Sequence, residues 1–334
     1  MYQGIYRIAH QIIAISSVYQ EVQDLCKDYT CRGTPDLYVN TTLRDIAAEK
    51  EKSRQEDLAE GIPVREFPES YLETLAVYRK IAEYMLEKHI LLFHGSVVAV
   101  DGKAFLFTAK SGTGKSTHTR LWRELLGERA IMVNDDKPLL ETGKDQVTVY
   151  GTPWDGKHHL STNIQVPLEG ICILNRGEEN KIRKISREEA YPMLLQQSFH
   201  PADGKKYGIL LEILDSLGKN IPLYSLQCNM ELDAARLSFH TMFGKEERMR
   251  LRNEFITHQV DGSQVMVSTE TRLFSGLVRS NETAAFIIDC LKEETTEEKI
   301  VDKILEEYDV SREIAARDVK KILLKLREIH AIHE

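Results

Sequence analysis

The sequence predicts a mixed α/β fold with more than one domain, organised around a P-loop. Three features support this fold class. An apolar strand runs into a glycine-rich loop at Ala109–Ser116, and a second strand ends in Asp135-Asp136 about 20 residues later. After Phe243 the pattern changes to short strands followed by helices. A chain of 334 residues has room for two or three domains.

Composition indicates a soluble globular protein, with 42% hydrophobic and 29% charged residues. A net charge of −8 disfavours nucleic acid as a partner over a broad face. No run of about 20 apolar residues occurs, so we expect no membrane partner and no spanning helix. The five cysteines are odd in number and scattered, which favours reduced thiols and a cytoplasmic location.

Residues 1–88 are predicted to form a small N-terminal α/β segment that packs on the core, with no further role assigned. Its predicted elements are an opening strand alternating at Tyr6, Ile8 and Ile12, a helix near Tyr19–Tyr29, a strand at Asp36–Asn40, a charged helix or loop at Arg44–Glu60, and an amphipathic helix from Pro68 to His89.

Residues 89–245 are predicted to form the nucleotide-binding domain. Its predicted elements are a β-rich run at Ile90–Ala99, a turn at Asp101-Gly102, strands at Ala104–Thr108 and Ala130–Val133, a helix ending near Leu126, and helices near Arg187–Gln197 and Lys206–Gly218.

Residues 254–334 are predicted to form a winged-helix-like domain of three strands and three helices. The predicted strands are Glu254–Val260, Gln264–Ser268 after a turn at Asp261-Gly262, and one within Arg272–Val278; the predicted helices are Glu282–Lys292, Thr296–Tyr308 and Ser311–Ile329.

The loop Ala109–Ser116 matches the P-loop pattern except that Ala replaces its first glycine. Gly112 and Gly114 permit a tight turn whose backbone N–H groups face a phosphate, and the following helix N-terminus adds its dipole. Lys115 supplies charge for the β- and γ-phosphates, and the Ser116 hydroxyl suits a Mg²⁺ ion. The predicted nucleotide-binding residues in the loop are Ser111, Gly112, Thr113, Gly114, Lys115, Ser116 and Thr117. The alternative is a glycine-rich turn between unrelated elements.

Two further features strengthen the prediction of a catalytic site. An apolar strand ending in Asp135-Asp136 carries two carboxylates to a sheet edge, where one completes a Mg²⁺ shell and the other accepts a hydroxyl proton. Alone, such a pair is usually only a turn. His94 lies just ahead of the hairpin that feeds the loop, and a histidine at a strand end is more often structural than catalytic.

The arrangement of His94-Gly95, Lys115 in Ser-Gly-Thr-Gly-Lys-Ser, and Asp135-Asp136 resembles the HPr kinase/phosphorylase family, whose nucleotide-binding core is shared with phosphoenolpyruvate carboxykinase. The resemblance implies that Lys115 holds phosphates, that Ser116 and Asp135 hold Mg²⁺, that Asp136 is the base and that His94 lies near the transferred group. Thr117 stands where the family commonly has Glu, and no Arg-Gly-Leu-Gly-type signature follows. Both departures point away from HPr as the substrate.

Gly151–His159 forms a loop with a Trp, a Lys and two His residues. A similar Gly-Thr-Pro-aromatic loop is found in kinase-like proteins near peptide-biosynthesis genes, and this resemblance implies that Lys157 reaches the γ-phosphate. An ordinary surface turn anchored by Trp154 is an equal alternative.

The C-terminal segment is similar to PqqD-like domains, which bind leader peptides of ribosomally made natural products. The matching signs are the Val-Asp-Gly hairpin, Arg279-Ser-Asn-Glu-Thr-Ala-Ala, Thr296-Glu-Glu-Lys-Ile-Val and Glu307-Tyr308-Asp-Val. The resemblance implies that a peptide adds as a β-strand at a sheet edge. A structural, dimerising or DNA-binding domain is the alternative, and the mixed charge of its helices disfavours DNA.

The expected function is that of an ATP- and Mg²⁺-dependent kinase acting on a Ser or Thr hydroxyl of a precursor peptide recruited by the C-terminal domain. A small-molecule kinase and a non-catalytic, nucleotide-gated peptide binder are the alternatives. Guanine nucleotides are not excluded by the residues, and the oligomeric state is open, with a homo-oligomer among the options.

Overall fold

The fold was examined in a computed structural model, which describes residues 1–59, 61–144, 146–156, 158–243, 248–260 and 263–333. The chain separates into two compact units, Met1–Phe243 and Gly244–Glu334. Among the described residues, no helix combines the length and the apolar character needed to cross a membrane.

The first unit is a mixed α/β structure. Its strands are β1 (Tyr2–Ile8), β2 (Gln11–Ser17), β3 (Leu37–Asn40), β4 (Ile90–Leu92), β5 (Ser96–Val100), β6 (Lys103–Thr108), β7 (Ala130–Asn134), β8 (Leu139–Thr142), β9 (Val147–Tyr150), β10 (Gln165–Arg176), β11 (Lys181–Lys184) and β12 (Leu223–Cys228). Its helices are α1 (Glu21–Leu25), α2 (Leu43–Ala59), α3 (Glu69–Leu86), α4 (Lys115–Leu126), α5 (Arg187–Gln196), α6 (Gly204–Asn220) and α7 (Leu232–Phe243), with short 3-10 turns at Lys27–Tyr29 and Gly127–Arg129.

The opening segment is a hairpin and not the single strand that its alternation predicts. Strands β1 and β2 pair antiparallel, and β3 joins β2 in parallel. The turn between them uses Ala9 and His10, whose φ angles are 45° and 57°. Tight hairpin turns usually contain Asn or Gly, so the sequence Ala-His did not predict a turn at this position.

The main sheet has the strand order β4-β8-β9-β10-β6-β5-β7, with β12 beside β10 and β11 beside β12. Strand β5 runs antiparallel to both β6 and β7, so β6 and β7 point the same way. Strand β10 runs parallel to β6. The carboxyl ends of β6, β7 and β10 and the beginning of β5 therefore share one edge of the sheet.

Helices cover both faces of this sheet and pack on it through apolar side chains. One face packs on α5 and α6, where Leu194, Leu210, Ile213 and Leu214 are buried. The other packs on α4 and α7 around the fully buried Trp122. A further cluster joins β1–β3 to α3 and includes Leu139 and Tyr150 of the main sheet.

The second unit consists of antiparallel strands followed by helices. Its elements are β13 (Arg250–Leu251), β14 (Phe255–Val260), β15 (Ser263–Ser268), β16 (Leu277–Ser280), α8 (Glu282–Cys290), α9 (Glu297–Glu307), α10 (Arg312–Glu328) and β17 (Ile332–His333). The order β14-β15-β16 leaves β14 and β16 at the edges of their sheet. Asn281, Thr296 and Ser311 cap the three helices with their side-chain oxygens, and the caps at Thr296 and Ser311 confirm the prediction.

Other differences from the sequence prediction are local. The charged segment after Arg44 is helical in α2. The helix expected near Tyr19–Tyr29 splits into α1 and a 3-10 turn. Strand β16, predicted within Arg272–Val278, starts only at Leu277, because the N–H groups of Leu273 and Phe274 donate to the Glu270 carbonyl and form a turn. The turn expected at residues 261–262 lies outside the described residues.

Candidate active site

One edge of the main sheet gathers most of the side chains that the sequence singles out. His94 lies just before β5, the loop 109–114 follows β6, and Asp135-Asp136 follow β7. Because β5 runs antiparallel between β6 and β7, these three segments meet at the same edge.

The glycine-rich loop connects β6 directly to the N-terminus of α4. Gly112 and Gly114 have φ angles of 74° and 121°, which L side chains rarely adopt. Ala109, at the position of the first motif glycine, is fully buried at the end of β6 without a positive φ. Replacement of that glycine by alanine is therefore sterically compatible with the loop.

Lys115 lies in the first turn of α4 and is only 8% exposed. Its Nζ donates to the carbonyl of Ala109 at 3.3 Å, across the loop. Burial lowers the pKa of Lys115 below its ordinary value of 10.5, whereas Asp136 opposes that shift. The result is a desolvated cation held at a concave, glycine-rich surface, an arrangement suited to a phosphate group.

The turn after β7 is organised by the fully buried side chain of Asn134. Its Oδ1 accepts from the backbone N–H groups of Asp136 (2.9 Å) and Lys137 (2.7 Å). Its Nδ2 donates to both oxygen atoms of Thr152 at 3.1 Å. The side chain thus fixes both carboxylates and ties their turn to the loop 151–156.

Asp135 is a buried carboxylate surrounded by hydroxyl groups. Ser96 Oγ donates to its Oδ1 at 2.6 Å and also lies 2.8 Å from Thr119 Oγ1. Burial raises the pKa of Asp135, which hydrogen bonds from Ser96 and Ser116 partly offset and the Asp136 charge reinforces. A cation beside Asp135 would relieve both the burial and the like charge.

Asp136 interacts with two basic side chains. Its Oδ1 lies 3.2 Å from His94 Nε2 and 3.3 Å from Lys137 Nζ. Burial raises the pKa of Asp136, but the hydrogen bond from His94 and the charge of Lys137 outweigh it and bring the pKa to about 2. Burial lowers the pKa of His94 below 6.5. At neutral pH the pair is therefore a carboxylate with a neutral imidazole.

Arg176, at the end of β10, was not predicted as a site residue. Its guanidinium donates to the carbonyls of Gly112 and Thr113 (3.4 Å to Thr113). These contacts hold the loop carbonyls towards Arg176. No local sequence motif marks this arginine, because only the parallel pairing of β10 with β6 brings it to the loop.

The loop after β9 lies beside the glycine-rich loop and the turn after β7 and forms another side of the candidate site. Trp154 Nε1 donates to the carbonyl of Thr74 in α3 at 3.1 Å. Asp155 accepts from the N–H and Oγ of Ser161 and lies 3.0 Å from His159 Nδ1. The predicted phosphate contact Lys157 lies outside the described residues.

A cavity of about 760 Å³ joins these segments. The predicted residues that line it are His94, Ser111, Gly112, Gly114, Lys115, Ser116, Thr117, Asp135 and Asp136. Thr113 does not line it and contributes its carbonyl to Arg176. Side chains from α1 and α3 close the other side of the cavity.

The donor set around Asp135 fits a Mg²⁺ ion. A carboxylate and the Ser116 hydroxyl are the hard oxygen ligands that Mg²⁺ prefers, and this ion commonly uses one or two carboxylates plus substrate phosphates. Within the described part of the chain, no group of three or more His, Cys, Asp or Glu side chains forms a metal site.

Comparison with known families identifies two regions of the chain. Residues 69–232 match the family model of the SynChlorMet cassette protein ScmC. Residues 263–332 match the family model of coenzyme PQQ synthesis protein D, PqqD. No curated protein matches the chain.

Three solved structures are similar to parts of the chain. TbiB1 in complex with the TbiA(beta) leader peptide has 23% identity and a TM-score of 0.23, and the match covers 25% of this chain and 94% of that one. Lasso peptide synthetase B1 complexed with the leader peptide has 26% identity and a TM-score of 0.23, covering 26% and 98%. The HPr(Ser) kinase/phosphatase from Coxiella burnetii has 12% identity and a TM-score of 0.26, covering 46% and 99%.

Proposed function

We propose that this protein is an ATP- and Mg²⁺-dependent kinase that phosphorylates a Ser or Thr hydroxyl of a ribosomally made precursor peptide. The observation that supports this most strongly is the convergence of Lys115, Ser116, Asp135 and Asp136 on a single cavity. The match of residues 263–332 to PqqD supports a role in peptide modification and a peptide as the acceptor.

The phosphate loop supplies the nucleotide site. Backbone N–H groups at Gly112, Gly114, Lys115 and Ser116 and the N-terminus of α4 would face the phosphates, while Lys115 offsets their charge. Ser116 and Asp135 would hold Mg²⁺, which neutralises charge on the β- and γ-phosphates when bound. Arg176 keeps the loop in the conformation that this binding needs.

Asp136 acts as the base for the acceptor hydroxyl. The hydroxyl oxygen forms a bond to the γ-phosphorus, the bond between that phosphorus and the bridging oxygen breaks, and ADP leaves. The hydroxyl proton passes to the Asp136 carboxylate, which is ionised at neutral pH since its pKa is about 2. His94 donates a hydrogen bond to Asp136 and orients it. A weakly basic carboxylate suffices because phosphoryl transfer is largely dissociative.

The second unit recruits the peptide. A groove of about 420 Å³ lies beside the edge strand β16 and is walled by α10. Ile288, Ile322 and Leu326 give it an apolar floor, and Arg279, Lys321 and Lys325 outnumber Asp318 among its charges. An extended peptide could pair with the β16 backbone and place alternate side chains in this groove. The surplus of positive charge favours an acidic peptide segment.

The proposal is tested by incubating the full-length chain with labelled ATP, Mg²⁺ and a set of precursor peptides that carry their leaders. Mass spectrometry would locate phosphate on a Ser or Thr. We expect Asp136→Asn to lower turnover by about 10²–10⁴-fold with ATP affinity unchanged. The exposed Asp215 provides the control, and Asp215→Asn should behave as the wild type.

Each alternative predicts a different result in the same assay. A small-molecule kinase would phosphorylate free hydroxy compounds and leave every peptide unmodified. A nucleotide-gated peptide binder would transfer no phosphate at all, and Asp136→Asn would leave its peptide binding intact. Transfer to peptides at the wild-type rate by Asp136→Asn would exclude this residue as the base.

A further inference from the structure

The side of the cavity that faces the phosphate loop is walled by aromatic and aliphatic side chains of the N-terminal segment. Tyr71, Leu75 and Tyr78 follow one another at i, i+4 and i+7, so they share one face of α3. Leu25 at the end of α1 and Trp154 from the loop after β9 complete this surface, which we call the acceptor wall. No motif marks it in the sequence.

The acceptor wall has a rigid base and an accessible rim. Tyr78 and Trp154 are 8% and 7% exposed, their rings lie 6.0 Å apart edge to face, and the indole N–H is bonded to Thr74. Tyr71 is 40% exposed, and Leu25 and Leu75 are half-buried. The side chains of the rim therefore keep part of their apolar surface exposed to the cavity.

The wall lies across the cavity from the glycine-rich loop. Helix α3 packs against β4, whereas the phosphate loop follows β6, and the cavity extends between them with Asp136 in its lining. The Asp136 charge is close enough to contribute to the raised pKa of Tyr71, after burial. In-line transfer places the acceptor oxygen opposite the leaving oxygen, which the loop holds. A hydroxyl bonded to Asp136 must then approach along α3.

We infer that the acceptor wall is the subsite for the residues flanking the phosphorylated hydroxyl, and that it selects a peptide with a bulky apolar or aromatic side chain next to its Ser or Thr. This inference rests on the proposed function. An apolar flanking side chain buries surface against Tyr71 and Leu75, whereas a charged one loses solvation against these two side chains, neither of which carries a charge. The nucleobase is at the opposite end of the triphosphate from the transferred group, so a wall beside Asp136 suits the acceptor better than the base.

The test compares two synthetic peptides of nine residues that differ only beside one central Ser, with Leu and Phe in one and Gly in the other. Equilibrium binding in the presence of Mg²⁺ and ADP is followed by calorimetry, and phosphorylation with Mg²⁺ and ATP is followed in parallel. We expect the wild type to prefer the apolar peptide by about tenfold or more in Kd and in kcat/KM.

Variants of the rim should remove this preference. We expect Tyr71→Ala and Leu75→Ala each to reduce the discrimination to about threefold or less while the affinity for ATP stays unchanged. Tyr71→Phe should retain it, since the ring provides the apolar surface. Tyr38 is 68% exposed on β3 outside the cavity, so Tyr38→Ala is the matched control and should behave as the wild type.

The two readouts separate this inference from the proposed function. Phosphorylation of both peptides with equal efficiency would overturn the inference and leave the kinase in place. Selective binding of the apolar peptide without any phosphate transfer would uphold the subsite and overturn the kinase. Weaker ATP binding in Tyr71→Ala and Leu75→Ala would assign the wall to the nucleobase and refute the inference.

Discussion

Lys115 combines a positive charge with near-complete burial at the start of α4. Its folded pKa lies below the unfolded value of 10.5, so at neutral pH the buried ammonium opposes folding. That cost is full below the folded pKa and is lost as the pH rises from the folded pKa to 10.5. A group retained at such a cost without nucleotide is consistent with a role in binding phosphate.

Lys115→Met is therefore expected to weaken ATP binding without lowering the stability of the nucleotide-free protein. Removal of the ammonium should weaken ATP binding by at least about a hundredfold, because a charge-assisted contact to two phosphates is lost. The Tm without nucleotide should stay the same or rise, and the rise in Tm that ATP causes should vanish. Calorimetry with and without ATP measures both quantities, with the exposed Lys205→Met as the control. A large fall in the Tm of the nucleotide-free variant would contradict this account.

From the contact between His94 and Asp136 we expect turnover to fall at acidic pH. Burial lowers the pKa of His94, so the imidazole is neutral above pH 6.5 and gains a proton only below it. A protonated His94 would hold Asp136 in a charged hydrogen bond and weaken it as a base. Asp136 itself stays ionised down to a pH of about 2, so it does not titrate in this range.

We expect kcat/KM of the wild type to fall below pH 6.5. The same fall should be absent in His94→Gln, because glutamine keeps a hydrogen-bond donor but does not titrate. The control His200→Gln changes an exposed histidine bonded to the Leu195 carbonyl and should retain the fall. An unchanged profile in His94→Gln would show that another group causes it.

Residues that belong to a local motif were predictable, and residues joined by long-range pairing were not. Gly112, Gly114 and Lys115 follow from the spacing in the loop and from the φ angles such a loop needs. Ser96 reaches Asp135, and Asn134 reaches Thr152, through contacts between distant segments, which a single sequence does not encode in its local pattern.

At the scale of elements, the parallel pair β6 and β10 controls the phosphate loop. Strand β10 ends beside the loop, and Arg176 bonds to the carbonyls of Gly112 and Thr113 from there. Carbonyls held on one side leave the N–H groups of the loop free to face a phosphate. In the proposed kinase, this arginine would be a positioning residue for the nucleotide.

Arg176→Ala should raise the Kd for ATP by about three- to tenfold, the value of one or two partly exposed hydrogen bonds. Hydrogen exchange of the amides at residues 110–114 should also become faster without nucleotide. Arg183→Ala serves as the control, because it removes an exposed arginine of β11 that forms an ion pair with Glu189. Unaltered exchange with weaker ATP binding would mean that Arg176 contacts the nucleotide directly.

Elements with strong periodicity or clear caps were predictable, and elements bounded by unusual turns were not. The face of α3 and the capped helices α9 and α10 were anticipated from their patterns. The β1–β2 turn was missed because neither Ala9 nor His10 signals a positive φ. The acceptor wall was missed for a different reason, since its residues have the same spacing as core residues of α3.

At the scale of the whole molecule, the two units supply complementary parts of one proposed reaction. The first unit contains the cavity proposed to hold the nucleotide and the acceptor, whereas the groove beside β16 lies in the second. A weakly held acceptor gains from attachment to a tightly held leader, because the second contact becomes intramolecular. The change of pattern near Phe243 was predictable from the sequence, but the groove depends on how α8 and α10 lie beside β16.

This arrangement predicts that the leader must be covalently attached to the acceptor segment. Supplying the two as separate peptides should raise the KM for the acceptor by about 10²–10⁴-fold, because the effective concentration is lost, while kcat at saturation stays the same. Lys321→Glu should raise the KM for the intact peptide by reversing a charge in the groove, without changing the KM for the acceptor segment alone. Lys320→Glu alters the neighbouring exposed lysine outside the groove and should match the wild type, so the comparison corrects for net charge. Equal KM values for joined and separate peptides would show that the second unit does not deliver the acceptor.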